Sequence, residues 1–401
     1  MRKYQISYKE KRQRDSMQGN SRIDFANTLR GFAALAVVIS HYYGVFWSSR
    51  AAVEAITNAP ALPLETYAIP GYISWLHLFP IFNWGAYGVA LFFIISGFVI
   101  PFSLQKMSWV GFSINRILRI MPTYFVGFSV TLLAILISSE YFSKEWPFSV
   151  REVLIHYIPG IRDIMWSRGI DGIVWTLEIE MKFYLVCALL IVWFRQQSLK
   201  VFFAPVALFA FALYLNRMIP VWGNTNASVW QLAMTYMTVS QYVIYMFIGV
   251  LFHYLYRGKI DANKAYLGIG GLFAMFCIHW WAGPYLANIG VAWSYAFALL
   301  TFAFSYSFPN LFKSNRVFDF LADISYPLYV IHGVAGYVAL RIMLDMGFKA
   351  WLSLLIVTIA CLFLSWLLHI LVESPSQKLG KKLAAKLTGR RLNTPAVQQG
   401  A

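Results

Sequence analysis

The sequence predicts an all-α polytopic membrane helix bundle of about ten transmembrane helices, with both termini in the cytoplasm. Three observations predict it. Of 401 residues, 59% are hydrophobic and only 12% are charged, against about 25% charged in soluble globular proteins. Apolar runs long enough to cross the ~30 Å hydrocarbon core recur along most of the chain. Threading ten spans from an inside N-terminus puts 24 of the 33 lysines and arginines on the inner side and 8 on the outer, as the positive-inside rule requires. The net charge of +16 therefore reads as a topology and lipid-surface signal, with membrane lipid as a partner and no nucleic acid.

Taken in order, residues 1–20 are polar without apolar periodicity and read as a flexible cytoplasmic tail. Residues 21–376 read as one membrane domain. Its spans are expected near 28–47, 85–103, 120–140, 172–194, 200–216, 232–256, 265–282, 290–308, 321–343 and 350–372. The first is long for a signal-peptide core and lacks a small-residue cleavage pattern, so it is expected to stay as an anchor. Segment 48–84, with Pro60, Pro63, Pro70 and Pro80, is long for a connection. Either it covers the outer face or dips into it, or it is a solvated loop. Residues 377–401 form a basic cytoplasmic tail whose Lys378, Lys381, Lys382 and Lys386 suit a short amphipathic helix on the inner leaflet. Cys187, Cys277 and Cys361 fall in spans at spacings that fit no metal motif, and no histidine pair is spaced i,i+4. We expect small apolar packing roles for these cysteines and no metal.

Five segments carry polar chemistry inside this apolar chain. In the first span, Arg30 is the only charged residue and His41 the only histidine. Eleven residues apart at 100° each, they share one helix face and lie roughly 16 Å apart along it. Ionisable groups in a membrane cost about 2.5–3.5 kcal/mol each by insertion scales, so such a stripe suggests function. An imidazole can take a proton from a hydroxyl and return it; it can also simply pack between helices. In the second span, Ser96-Gly97 allows close backbone approach or leaves room for a ligand. Next, Arg116 and Arg119 are three apart and expected on the inner side. Their guanidinium groups suit coenzyme or nucleotide phosphates, or they are positive-inside arginines at a helix start.

The fourth segment, DGIVWTLEIEMKFYL (171–185), spaces Glu178 with Lys182 and Glu180 with Tyr184 at i,i+4. An ion pair accounts for the first two and leaves Glu180 to be explained. In DISYPLYVIHG (323–333), Ser325, Tyr329 and His332 continue to Gly336 as one helical stripe, with Pro327 early enough in the span to be tolerated. Glu373, before Ser374-Pro375, stands at the inner end of the last span, where it could also pair with a basic loop.

These segments, in this order, resemble the integral-membrane acyltransferase family 3, whose members O-acylate sugars. LRGFAALAVVISH is similar to that family's first-helix signature. FFIISGF, the Arg116 and Arg119 pair, WTLEIEMKFY, ISYPLYVIH and Glu373-Ser374-Pro375 match its later blocks, over roughly residues 24–376. Two positions depart from the pattern: Glu178, where the family often has a small polar residue, and Met181, where it often has a second acid. The chain is similar to the stand-alone members, without a fused SGNH-type hydrolase domain. The resemblance implies a bacterial inner-membrane O-acyltransferase. Its donor would be acyl-CoA, by default acetyl-CoA, approaching from the cytoplasm. Its acceptor would be a hydroxyl of a cell-surface or exported glycan, or of a lipid-linked sugar.

On that reading His41 is a general base or a transient acyl carrier, and Arg30 positions the coenzyme or polarises the thioester. Glu180 and His332 orient the acceptor or the base. Arg116, Arg119 and Ser96 face the donor, with Glu373 ordering the inner arginines. The competing class is a transporter or flippase using the same buried charges. Transporters often show paired half-repeats with broken helices, and the sequence shows no such repeat.

Overall fold

The computed structural model describes residues 23–77, 82–222, 226–283, 290–313 and 315–387. The expected N-terminal tail, and the C-terminal tail from residue 388, lie outside them. Among the described residues the regular structure is entirely helical. The first helix, α1 (Asp24–Ser48), starts α-helical and widens into a π-helix over Ile39–Val45. Trp47 Nε1 donates to the Tyr42 carbonyl there at 3.0 Å, giving a polar partner to backbone in the wide turns. There follow α2 (Arg50–Thr57), α3 (Trp84–Leu104), α4 (Trp109–Tyr141), α5 (Val150–His156), α6 (Val174–Leu189) and α7 (Ile191–Arg195). The second half holds α8 (Phe203–Trp222), α9 (Ala227–Tyr256), α10 (Ala262–Ala282), α11 (Val291–Ser307), α12 (Arg316–Asp323), α13 (Ser325–Ile331), α14 (Val334–Asp345), α15 (Ala350–Leu368) and α16 (Ser374–Leu387).

Seven of these segments are long and apolar enough to cross a membrane, and eight if the bent pair α13–α14 is one span. The chain is a multi-pass membrane protein. Among the described residues the other expected spans are shorter or interrupted helices. α6 carries Glu178, Glu180 and Lys182 and stops after 16 residues, so the run 172–194 divides into α6 and α7. α11 has 17 residues. The ninth run bends by 55° between Ile331 and Val334, where Gly333 leaves helical geometry. Tyr42 donates to the His332 carbonyl at this break (2.8 Å), since a backbone group freed inside a bundle needs a polar partner. A Cβ on Gly336 would lie 2.1 Å from the Tyr42 oxygen, so glycine makes room for that contact.

α3 is the central helix, packed against α1, α9 and α11. It is apolar on every side, as a fully surrounded helix should be. Its crossing with α9 is backbone against backbone. A Cβ on Gly97 would stand 1.9 Å from the Met246 carbonyl oxygen, and one on Gly249 would stand 2.1 Å from that of Ile94. The expected amphipathic helix in the C-terminal segment is present as α16. Gly380 and Ala384 pack it on α4, and Lys378 and Lys382 face outward.

The long segments between helices are tied down by polar contacts. Arg50 donates to the carbonyls of Trp47, Leu62 and Tyr67, and Tyr67 reaches the Leu344 carbonyl at 2.6 Å. Of the two readings of 48–84, this supports the cover. In the other segment Asp171 starts α6, its Oδ1 accepting from the amides of Ile173 and Val174 at 3.0 Å each. Tyr124 donates to its other oxygen, and His156 Nε2 lies 3.3 Å away. Burial pushes the Asp171 carboxyl up, and the His156 ring and the two amides more than offset this, holding it below the ordinary carboxylate range.

Candidate active site

A cavity of about 120 Å³, partly open to its surroundings, lies among α1, α3, α4, α6 and α13. Five of the eight sequence-selected residues line it: Arg30, Ser96, Arg116, Arg119 and Glu180. Each comes from a different local logic. Arg116 and Arg119 sit one turn apart on α4. Ser96 faces the cavity because its neighbour Gly97 faces α9, so both readings of that dipeptide hold. Arg30 projects from α1 and donates to Ser325 at 3.2 Å.

The cavity's charges do not balance. Three arginines line it, with one carboxylate, Glu180. Glu180 is held by Ser96 (2.9 Å) and by the Tyr184 hydroxyl. The Arg116 guanidinium lies over the rings of Phe112 and Tyr184, 5.7 Å from each centroid. Its Nε is buried without a hydrogen-bond partner among the described residues. Cations in excess within a partly enclosed, low-dielectric space attract an anion, and guanidinium forks suit phosphate oxygens.

The histidines stand beyond the cavity wall. Tyr329 lines the cavity and donates to Thr176 (2.7 Å), whose own proton goes to the Ile173 carbonyl. The Tyr329 ring centroid is 5.7 Å from that of His332, which is 4.7 Å from that of His41. The structure thus joins the two histidines selected from segments almost 300 residues apart. His41 is half-buried and sits in the π-helical stretch, a geometry common at functional sites. Its Nδ1 lies 2.7 Å from the hydroxyl of Tyr337, whose ring stacks on it. Sequence reading missed Tyr337. The stripe through Ser325 assumed one straight helix, but the Gly333 break turns α14 so that Tyr337 meets His41 and Gly336 meets Tyr42. A glycine in mid-span was the available signal.

Two expectations require correction or relocation. Glu178 and Lys182 do not pair with each other. Glu178 takes both prongs of the Arg162 guanidinium (2.9 and 2.6 Å), and Lys182 pairs with Asp163 (2.8 and 2.7 Å). The turn segment before α6 offers better geometry than an i,i+4 contact within it. Glu373 does not line the cavity. It is buried, accepting from Gln377 at 2.8 Å, with His369 Nδ1 at 2.7 Å. Among the described residues no cluster of three or more His, Cys, Asp or Glu could hold a metal ion.

A cavity with excess guanidinium beside a histidine pair suits transfer of a group from an anionic carrier. Comparison with known families gives the same class of chemistry: a family model described as an acyltransferase domain matches residues 23–370. The chain belongs to acyltransferase family 3. It is similar to nodulation protein 10 of Rhizobium leguminosarum bv. viciae, with 27% identity over 351 residues, covering 78% of this chain and 90% of that one. No solved structure matches. The match to the acyltransferase family spans all the cavity-lining residues, both histidines and Tyr337. The protein is a membrane acyltransferase.

Proposed function

We propose that this acyltransferase moves an acyl group, acetyl in the simplest case, from cytoplasmic acyl-CoA to a hydroxyl of a cell-surface or exported glycan, working in a bacterial inner membrane. One observation carries the reading: three arginines and one carboxylate line a cavity that leads to a histidine pair. Arg116 and Arg119 hold the coenzyme phosphates. Arg30, tied to Ser325, sits farther along the cavity toward the thioester. Glu180, fixed by Ser96 and Tyr184, is the carboxylate that the arginines outnumber. Glu373 orders the inner end from behind the wall. The histidine pair handles the protons, since acyl transfer to a hydroxyl requires removal of the hydroxyl proton and protonation of the departing thiolate. Tyr329 separates the histidines from the cavity and limits water, which would otherwise compete as acceptor.

The test uses membranes carrying wild type, His41→Ala, or the double variant Arg116→Ala with Arg119→Ala, each matched for expression. Label from radioactive acetyl-CoA should enter glycan with wild type and vanish with His41→Ala. The arginine variant should recover part of its activity at high acetyl-CoA. Full transfer by a folded His41→Ala protein overturns the assignment of the site. No transfer by wild type to the membrane's glycans overturns the donor and acceptor, and leaves substrate movement across the membrane as the reading to test next.

A further inference from the structure

The histidine pair is asymmetric, and the asymmetry assigns roles. His332 Nδ1 lies 2.9 Å from the Leu328 carbonyl oxygen. A carbonyl only accepts, so Nδ1 carries the proton and Nε2 carries the lone pair. That Nε2 is buried without a hydrogen-bond partner among the described residues. His41 Nδ1 instead faces a phenol, which can donate or accept. Tyr337 is 1% exposed, and His41 is its one hydrogen-bond partner among the described residues. If Tyr337 accepted from His41, its own O–H would be buried with nothing to donate to, a costly arrangement. Tyr337 therefore donates to Nδ1, and the His41 proton sits on Nε2.

Building on the acyl-transfer reading, we propose that His332 is the base, that His41 acts as a hydrogen-bond donor to the thioester carbonyl, and that Tyr337 is the positioning residue that fixes this division. In the reaction the acceptor oxygen bonds to the carbonyl carbon while its proton passes to His332 Nε2. Negative charge gathers on the carbonyl oxygen against His41 Nε2–H. Collapse breaks the C–S bond, the electron pair leaves on sulfur, and His332 returns the proton to that thiolate. Ester and free coenzyme thiol result. The His332 Nε2 lone pair is then what takes the proton of the acceptor hydroxyl. Tyr329, facing both the cavity and the His332 ring, is the side chain that must turn aside to admit it.

Two measurements test this on the full-length protein in lipid nanodiscs. The first is nitrogen-15 NMR of labelled histidines, with signals assigned by loss in His41→Gln and His332→Gln. Wild type should show His41 protonated at Nε2 and His332 at Nδ1, and Tyr337→Phe should release His41 into a mixture of tautomers. A proton on His41 Nδ1 in wild type overturns the proposal whether or not transfer is seen, so this arm is independent of the acyltransferase substrate.

The second is the rate of acyl transfer. A glutamine amide donates a hydrogen bond but takes up no proton near neutral pH. His41→Gln should therefore retain at least tenfold more activity than His41→Ala. His332→Gln and His332→Ala should both fall at least a hundredfold and lose the acidic limb of the kcat profile. Tyr337→Phe should lower kcat with an unchanged KM for the donor. Equal loss in His41→Gln and His41→Ala, with the acidic limb intact in His332→Gln, overturns the roles while leaving acyl transfer itself standing. Absence of transfer by wild type removes the acyl-transfer reading and the roles built on it.

Discussion

α6 presents charge on two faces, and the faces differ in how that charge is matched. On one, Glu178 and Lys182 meet Arg162 and Asp163, cation to anion, one for one. On the other, Glu180 and Tyr184 face a cavity where three arginines share one carboxylate. Both faces lie in the same helix and each carries one glutamate. The matched face fastens the segment before α6 to the bundle, and a bilayer tolerates it because each charge has a partner. The unmatched face keeps a charge deficit that a substrate can fill. Charge inside a membrane protein is thus a poor marker of function until its partners are counted.

The largest effect should come from emptying the unmatched face. Arg116→Ala with Arg119→Ala should lower kcat/KM for acyl-CoA about a thousandfold, as two charge-assisted hydrogen bonds of about 2 kcal/mol each would. Most of the loss should appear in KM. Initial rates across a donor titration check this, and a loss confined to kcat would place the arginines at the chemistry instead.

The matched face should respond in stability. Glu178→Ala removes the acceptor of both Arg162 prongs and of the Asp163 amide and should cost about 3 kcal/mol in denaturant unfolding, with kcat/KM of the surviving folded protein within about threefold of wild type. Loss of activity without loss of stability would move Glu178 into the site. Lys182→Met should cost less, about 1 kcal/mol, because the Asp163 side chain keeps 16% exposure and can recruit water.

How much of this was legible in the sequence follows from which contacts are local. The all-helical membrane fold was readable because composition and apolar run length act over a single segment. The pairs Arg116 with Arg119 and Glu180 with Tyr184 were readable because both are spaced within one helix turn or so. The Glu178 with Lys182 pairing failed by the same logic: the spacing allowed it, but Arg162 and Asp163 arrive from a turn-rich segment that carries no periodic signal. Tyr337 was hidden by the Gly333 break, which resets the helical phase within a run that reads as continuous. The meeting of His41 with His332 depends on tertiary packing, and one sequence holds no local trace of it.

The smallest expected effect is the one that best separates the two faces. Glu180→Gln keeps an acceptor oxygen for Ser96 and Tyr184 but removes the one carboxylate lining the cavity among the described residues. If the excess positive charge is what binds the donor, this change raises it further. The KM for acyl-CoA should then fall about threefold, or less than 1 kcal/mol. The gain should shrink as salt rises, because screening weakens charge effects in a cavity that is open to solvent at one end. The same exchange at Glu178 should leave the donor KM unchanged and lower stability. A Glu180→Gln protein whose donor KM rises instead would show that the carboxylate holds the arginines in place more than it opposes the donor. The two faces of α6 would then share one principle, matched charge, and differ only in what occupies the remaining space.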